Sequence, residues 1–381
     1  MGPLQGFKII EIAGIGPSQF CGMLLADMGA EILRVARLKV AGDGVSIPVR
    51  FDLMNRSRQT ITVDLKKPEG VDLVLALCES ADAFFEGFRP GVIERIGLGP
   101  DDCMRRNKAL VYGRMTGWGQ DGPMAKVAGH DGNYIALAGA LAAIGEKKSL
   151  PAMPLNLVGD FGGGGAYLAM GILAALLETS RSGEGQVVDA AMTDGTASLM
   201  TLFFGLRAAG MWGEERGSNV LDGAAPFYRT YATSDGQVVV VCALEGRFYS
   251  ELMRILSLAD VDSDLQYERS TWPELTTRME SAFLSRTRAQ WCELFDGVDA
   301  CFAPVLSMSD AIADAHNQAR GTFIEVDGIT QPAPAPRFSR SRSKIQNPPL
   351  EASRPDAGLL RNWGVGPDDI DRLTDSGAID S

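Results

Sequence analysis

The chain has 381 residues, enough for a large core and most naturally for two domains of unequal size. Hydrophobic residues make up 45% and charged residues 22%, the composition of an ordinary soluble globular protein rather than a disordered one. The formal net charge of -12 argues against non-specific nucleic-acid binding, so any polyanionic ligand must meet a local basic patch.

Residues 7–12 read as a buried strand, after which Gly14, Gly16 and Pro17 turn the chain. Pro17 suits the first helical position, and Phe20, Met23, Leu24 and Ala26 supply an apolar stripe at helical spacing. Gly29 closes that helix and residues 31–35 form the next strand, completing a β-α-β unit of the Rossmann type. A helix near 70–78 leads to a strand at 83–86, and another near 100–106 leads to a strand at 109–115. Such alternation predicts a largely parallel sheet covered by helices. An apolar helix follows over 166–177; its strongly apolar part, 167–177, is too short to cross a bilayer and contains Gly171.

From 227 the pattern changes. Residues 227–233, the turn Ser234-Asp235-Gly236 and residues 237–243 read as a hairpin, with helical patterns over 248–256, 275–284 and 289–295. Residues 331–355, rich in Pro, Ser and Arg, read as a linker running over a surface, and 356–379 as a helix packing back onto the first domain. The expected fold is α/β: a Rossmann-like parallel-sheet domain over 1–200, completed by 350–381, and a smaller α+β domain over 227–325. Residues 201–226 and 326–349 are the expected linkers.

The six cysteines form no C-x-x-C pair or zinc spacing and read as buried reduced thiols. No basic segment followed by an apolar stretch opens the chain, and Gly6 stands where myristoylation wants Ser or Thr. The last residues are not a Ser-Lys-Leu address, so the expectation is a cytoplasmic protein without membrane insertion.

Chemistry first shows at the second strand. In an NAD-binding unit a carboxylate at its end holds the ribose hydroxyls; here the strand carries Arg34 and is followed by Arg37 and Lys39. Between 34 and 67 the basic residues are Arg34, Arg37, Lys39, Arg50, Arg56, Arg58, Lys66 and Lys67, against only Asp43, Asp52 and Asp64. Guanidinium forks match phosphate oxygens, which favours NADP or coenzyme A over NAD; a solvated basic face is the plain alternative. Gly14-x-Gly16 lacks the third glycine of G-x-G-x-x-G, its next glycine being Gly22, and this shifts the balance toward coenzyme A.

Only two histidines exist, so a histidine base is His130 or His316. His316 lies among Asp314, Asn317 and Gln318 and reads as a surface residue. His130, in Gly129-His130-Asp131-Gly132-Asn133-Tyr134, has flanking glycines that let backbone approach a ligand, although a structural histidine is the plain alternative. Asp160 stands in Val158-Gly159-Asp160-Phe161-Gly162-Gly163-Gly164-Gly165, at the start of the apolar helix. Free amides there could hold an enolate oxygen, and the carboxylate could abstract a proton or act as a nucleophile. The plain alternative is a helix cap followed by glycines that permit close packing.

Four runs carry a resemblance over nearly the whole chain: Arg114-Met115-Thr116-Gly117-Trp118-Gly119-Gln120, Ala128-Gly129-His130-Asp131, Asn156-Leu157-Val158-Gly159-Asp160-Phe161-Gly162-Gly163-Gly164, and Gly183-Glu184-Gly185-Gln186-Val187-Val188-Asp189-Ala190-Ala191-Met192. They resemble the family III CoA-transferases, and within them the α-methylacyl-CoA racemase branch. The resemblance implies an interlocked homodimer with the active site between one chain's large domain and the other's small domain. It implies His130 and Asp160 as the two catalytic bases and Glu245, in Ala243-Leu244-Glu245, as the support for the histidine. Implied contacts to coenzyme A and substrate are Arg37, then Val63, Asp64, Leu65 and Lys66, then Gly87, Phe88, Arg89 and Arg95. Gly129, Asp131, Gly132, Asn133 and Tyr134 complete that set.

The implied reaction interconverts (R)- and (S)-2-methylacyl-CoA by two-base proton transfer through an enolate. It needs no metal or redox cofactor, and coenzyme A arrives as part of the substrate. The transferases use an aspartate matching Asp160 as nucleophile but place no histidine at 130, and formyl-CoA transferase has a glycine-rich loop where residues 219–226 hold only Gly223. Both differences favour the racemase. The alternatives are a CoA-transferase acting through Asp160, a non-catalytic acyl-CoA-binding protein and an NADP-dependent oxidoreductase.

Overall fold

Short apolar runs punctuated by glycine turns make the strands of the first 200 residues, and their order in space creates the site. The computed structural model describes residues 2–37 and 47–378. In chain order come β1 (Lys8–Ile12), α1 (Pro17–Asp27), β2 (Glu31–Ala36), β3 (Gln59–Thr62), α2 (Pro68–Cys78) and β4 (Ala83–Glu86). Then follow α3 (Val92–Ile96), α4 (Pro100–Arg106), β5 (Val111–Thr116), α5 (Asp131–Leu137) and α6 (Ala140–Ala143). A π-helical turn, Leu157–Gly165, runs into α7 (Ala166–Ser182), and β6 (Val187–Ala191), α8 (Met192–Leu199) and α9 (Thr201–Ala208) come next. The chain continues through β7 (Tyr228–Ala232), β8 (Val238–Cys242), α10 (Gly246–Ile255), α11 (Trp272–Phe283), α12 (Arg288–Phe295) and β9 (Phe302–Pro304). Last are α13 (Met308–Ala313), α14 (Ala315–Arg320), β10 (Phe323–Val326), β11 (Ile329–Pro332), α15 (Ala357–Asn362) and α16 (Pro367–Asp375).

Two compact units result. The first comprises Met1–Ala138, Leu155–Leu199 and Gly321–Ser381; the second comprises Gly139–Pro154 and Met200–Arg320. In the first, six parallel strands lie in the order β3-β2-β1-β4-β5-β6. Both faces are covered, which is why the strands read as continuous apolar runs. Ile10, Ile12, Leu33, Phe84 and Tyr112 pack against Leu73 and Leu77 of α2 and against Leu360, Trp363 and Leu373 near the C-terminus. Ile9, Ile32, Phe85 and Val111 face Cys21 and Leu25 of α1 and Leu168, Ile172 and Leu176 of α7.

The second unit carries the antiparallel sheet β7-β8-β9, whose first hairpin turns at Gly236 (φ 72°). Phe227, Val239 and Val241 pack there with Tyr249, Leu252, Met279, Phe283 and Trp291.

The structure corrects four expectations. The C-terminal segment is two helices rather than one, because Gly364 (φ 81°) breaks it. The expected 331–355 linker begins inside a strand, since Gln331 and Pro332 end β11; beyond them it runs over the surface as expected, the Ser57 and Thr62 amides donating to the Asn347 and Ser353 carbonyls at 3.0 and 2.8 Å. This pairing covers the outer edge of β3. The apolar helix is longer than 166–177, since the π turn and α7 form one 26-residue helical segment, Leu157–Ser182. By length and composition that segment would suffice to cross a membrane, and Leu168, Ile172 and Leu176 bury one face of it against the sheet. Finally, all six cysteines are free, but only Cys21, Cys78 and Cys103 are buried; Cys301 is exposed.

Candidate active site

Parallel strands end on one edge, and an open α/β sheet forms its ligand crevice beyond that edge where the strand order reverses. Here the reversal lies between β1 and β4. Gly14 and Gly16 follow β1, Arg37 follows β2, Val63, Asp64, Leu65 and Lys66 follow β3, and Gly87, Phe88 and Arg89 follow β4. The segment leading to His130 follows β5. The topology therefore gathers to one edge nearly every site residue expected in the first unit. Arg95 lies on α3 and lines, with Leu65, Lys66, Lys67, Pro68 and Val71, a surface cavity of about 580 Å³. Glu245 belongs to the second unit, where it is the N-cap of α10.

His130 and Asp160 are brought together through the residue between them. His130 is exposed and caps α5, its backbone amide donating to Asn133 Oδ1 at 3.0 Å. Asp131, the first residue of α5, is buried, and its Oδ1 accepts the Asp160 amide at 2.7 Å. Asp160 is half-buried, with Oδ2 accepting from Asn156 Nδ2 at 3.1 Å. Gly16 (φ 65°) lies against that carboxylate; a Cβ there would sit 2.9 Å from Asp160 Oδ2.

Burial pushes the Asp160 carboxyl above the ordinary carboxylate range. The Asn156 hydrogen bond opposes that rise, Asp131 adds to it and His130 opposes it. Burial, with Asp160 adding and Arg89 opposing, also raises the Tyr134 phenol, which donates to the Gly129 carbonyl and meets Trp118 edge-on at 4.7 Å between ring centroids.

Asp160 is not a helix cap. The π turn is capped by Asn156, and the Asp160 amide is already taken by Asp131, so that amide is not free to hold an enolate oxygen. The glycine run does serve close packing: at Gly165 a Cβ would lie 2.5 Å from the Pro17 carbonyl oxygen of α1.

The basic stretch also reads differently in the structure. Arg34 pairs with buried Glu11 at 3.3 Å, buried Arg58 pairs with the same carboxylate, and buried Arg56 pairs with Asp27 at 2.6 Å. Arg50 donates to the Asp327 carbonyl at 2.8 Å. Arg34, Arg56 and Arg58 are therefore taken up by enclosed carboxylates, whereas Arg50 is exposed and stays on a solvated face. What remains is Arg37, its guanidinium 5.5 Å from the Phe88 ring centroid, with Lys66 and Lys67 at the cavity. Lys39 and Asp43 lie outside the described residues.

Two groups went unnoticed in the sequence. Asn156, four residues before Asp160, holds its carboxylate. Glu86 ends β4 fully buried, accepting the Phe88 amide at 2.6 Å and Arg114 Nε at 3.3 Å. Burial pushes Glu86 up to about 7, against the pull of the Phe88 amide and Arg114. Its only sequence signal is an acid closing an apolar strand, opposite Arg114 in the next one. His316 is exposed on α14, as expected. Among the described residues no group of three or more His, Cys, Asp or Glu is arranged to hold a metal ion.

Fold and site together define a doubly wound α/β protein with a histidine and a raised carboxyl at the switch-point edge of its sheet. The family described as CoA-transferase family III matches residues 4–359, and the chain belongs to that family. It is 40% identical to alpha-methylacyl-CoA racemase of Mus musculus over 385 residues, 99% of this chain and 98% of that protein. The Homo sapiens alpha-methylacyl-CoA racemase is 38% identical over 383 residues, again covering 99% and 98%. A crystal structure of Rv3272 from M. tuberculosis matches with a TM-score of 0.77 at 27% identity, covering 92% of this chain and 97% of that one.

Proposed function

We propose that this chain interconverts the two hands of 2-methylacyl-CoA thioesters, using His130 and Asp160 as opposed proton-transfer groups. The observation that carries the reading is their meeting through Asp131 in a chain 38–40% identical to the two racemases over 99% of its length.

Thioester sulfur donates weakly into the carbonyl, so the adjacent C–H is acidic enough for a positioned base once the enolate oxygen is stabilised. One group takes the proton from one face while the other returns a proton to the opposite face. Neutral His130 with protonated Asp160 runs one direction; imidazolium with carboxylate runs the reverse. Asp160 must therefore keep its proton toward neutral pH, and burial shifts its carboxyl in that sense. Glu245 keeps the role of supporting His130. Arg37, Lys66 and Arg95 would meet the phosphates of coenzyme A, which comes with the substrate, and the chemistry calls for no metal or redox cofactor.

The reading extends to a cytoplasmic homodimer. In its favour, α9 buries none of its residues, and its Leu202 and Phe204 are 58% and 54% exposed, apolar area that a second copy would cover.

Incubating one enantiomer of a 2-methylacyl-CoA in deuterium oxide tests the reaction. Epimer and α-deuterium should both appear with no second acid present. Turnover that requires a second carboxylic acid and leaves the α-proton untouched would instead establish a CoA-transferase acting through Asp160.

A further inference from the structure

We infer that Asp131 is a positioning residue for Asp160 rather than a contact to coenzyme A. The inference rests on the two-base reading above.

Asp131 is only 6% exposed, and a carboxylate leaves water at a cost unless something compensates it. Its Oδ1 receives the Asp160 amide at 2.7 Å, within the range of charge-assisted hydrogen bonds. Its Oδ2 is also enclosed and has no hydrogen-bond partner among the described residues. Little of this side chain is available to a ligand. What it does hold is the backbone of the residue that handles the proton.

The surroundings make that hold necessary and specific. Asp160 sits in a turn where five of nine residues, Gly159 and Gly162 to Gly165, are glycine, the poorest helix former after proline. Such a turn needs anchoring from outside, and α5 supplies it. A Cβ at Gly159 would lie 2.5 Å from Asp131 Oδ1 and 2.9 Å from Ile135 Cγ2, so the turn and the first turn of α5 are in direct contact. Asp131 is also joined to His130 by a peptide bond. One residue therefore sets the distance between two bases that lie 30 positions apart in the chain. The negative charge of Asp131 further raises the Asp160 carboxyl, acting in the same direction as its burial.

Three variants test this: Asp131→Ala removes the acceptor, Asp131→Asn keeps an acceptor oxygen, and Gly159→Ala presses on the bond from the other side. Each is assayed for kcat and KM with 2-methylacyl-CoA, for α-proton exchange of each enantiomer, and for thermal unfolding. A misplacement near 1 Å costs roughly 100-fold, so Asp131→Ala and Gly159→Ala should lose about that in kcat with KM little changed. Asp131→Asn should lose no more than about tenfold, because the amide keeps its acceptor while the charge assistance goes. The exchange that collapses should be that of the enantiomer also lost in Asp160→Ala.

Three results would overturn the inference: a raised KM with kcat intact, which marks a coenzyme A contact; equal loss for both enantiomers, which marks general disorder; or folded variants with normal kcat. Should Asp131→Ala fail to fold, Gly159→Ala and Asp131→Asn decide alone. A wild-type protein that exchanges no α-proton sinks the two-base reading itself, a separate outcome.

Discussion

Gly22 lies in the middle of α1, where alanine would ordinarily stabilise a helix by about 1 kcal/mol. We predict the opposite for Gly22→Ala. A Cβ there would come closer to Arg58 Nη1 than real Cβ atoms approach any heavy atom, and would lie 2.6 Å from Glu11 Oε2. Neither partner can step aside. Both side chains are fully enclosed, Arg58 Nη2 is held by the Met54 carbonyl and by Asn55 Oδ1 at 2.8 Å, and Arg34 holds the other Glu11 oxygen at 3.3 Å. Disrupting a buried pair costs roughly 3–5 kcal/mol, which leaves a net destabilisation of about 2–4 kcal/mol after the helix gain. Urea unfolding should show a lower midpoint with an unchanged slope. A variant as stable as wild type, or about 1 kcal/mol more stable, would refute the view that this glycine exists to admit the Glu11–Arg58 pair.

Arg37→Ala should weaken acyl-CoA binding by ~1.5–3 kcal/mol in calorimetry, the worth of a charge-assisted phosphate contact, and by less for dephospho-CoA thioesters; equal losses would remove its assignment to the 3′-phosphate. Glu86 carries a raised carboxyl, so the folded state keeps a proton that the unfolded chain gives up, and stability should fall as pH climbs from its ordinary 4.5 through about 7. Over that window the loss amounts to about 3 kcal/mol, and Glu86→Gln should flatten the dependence of Tm on pH between 5 and 8; parallel curves for the two proteins would contradict it. Sedimentation velocity should find a dimer, and dilution should yield no active monomer.

Much of the first unit was legible because local and global signals agree. β1, β2 and β4 are apolar runs bounded by turns, and the Pro17 start and Gly29 stop of α1 are chemical necessities of the backbone. The π turn was not legible. In the sequence Asp160 reads as a possible cap ahead of a helix starting at 166, with the glycines merely permitting close packing; only packing against α1 and α8 makes them helical, overriding their propensity. The arginines misled for a related reason. Their charge shows in the sequence, but their partners Glu11 and Asp27 lie 47 and 29 positions away and are found only once the strands align. For the site, His130 and Asp160 stood out through their glycine settings and the family runs. The Asp131 contact to Asp160 did not, because nothing in a linear chain joins positions 131 and 160.

In the proposed racemase, His130 and Asp160 serve opposite faces of one α-carbon. Proton NMR of deuterium incorporation into each separate enantiomer of a 2-methylacyl-CoA, for His130→Ala, Asp160→Ala and Glu245→Gln, tests it most directly. Both alanine variants should lose racemisation while each retains exchange of one enantiomer, the retained hands being opposite, and Glu245→Gln should be impaired less than either. Near-normal racemisation by His130→Ala beside a dead Asp160→Ala would contradict it.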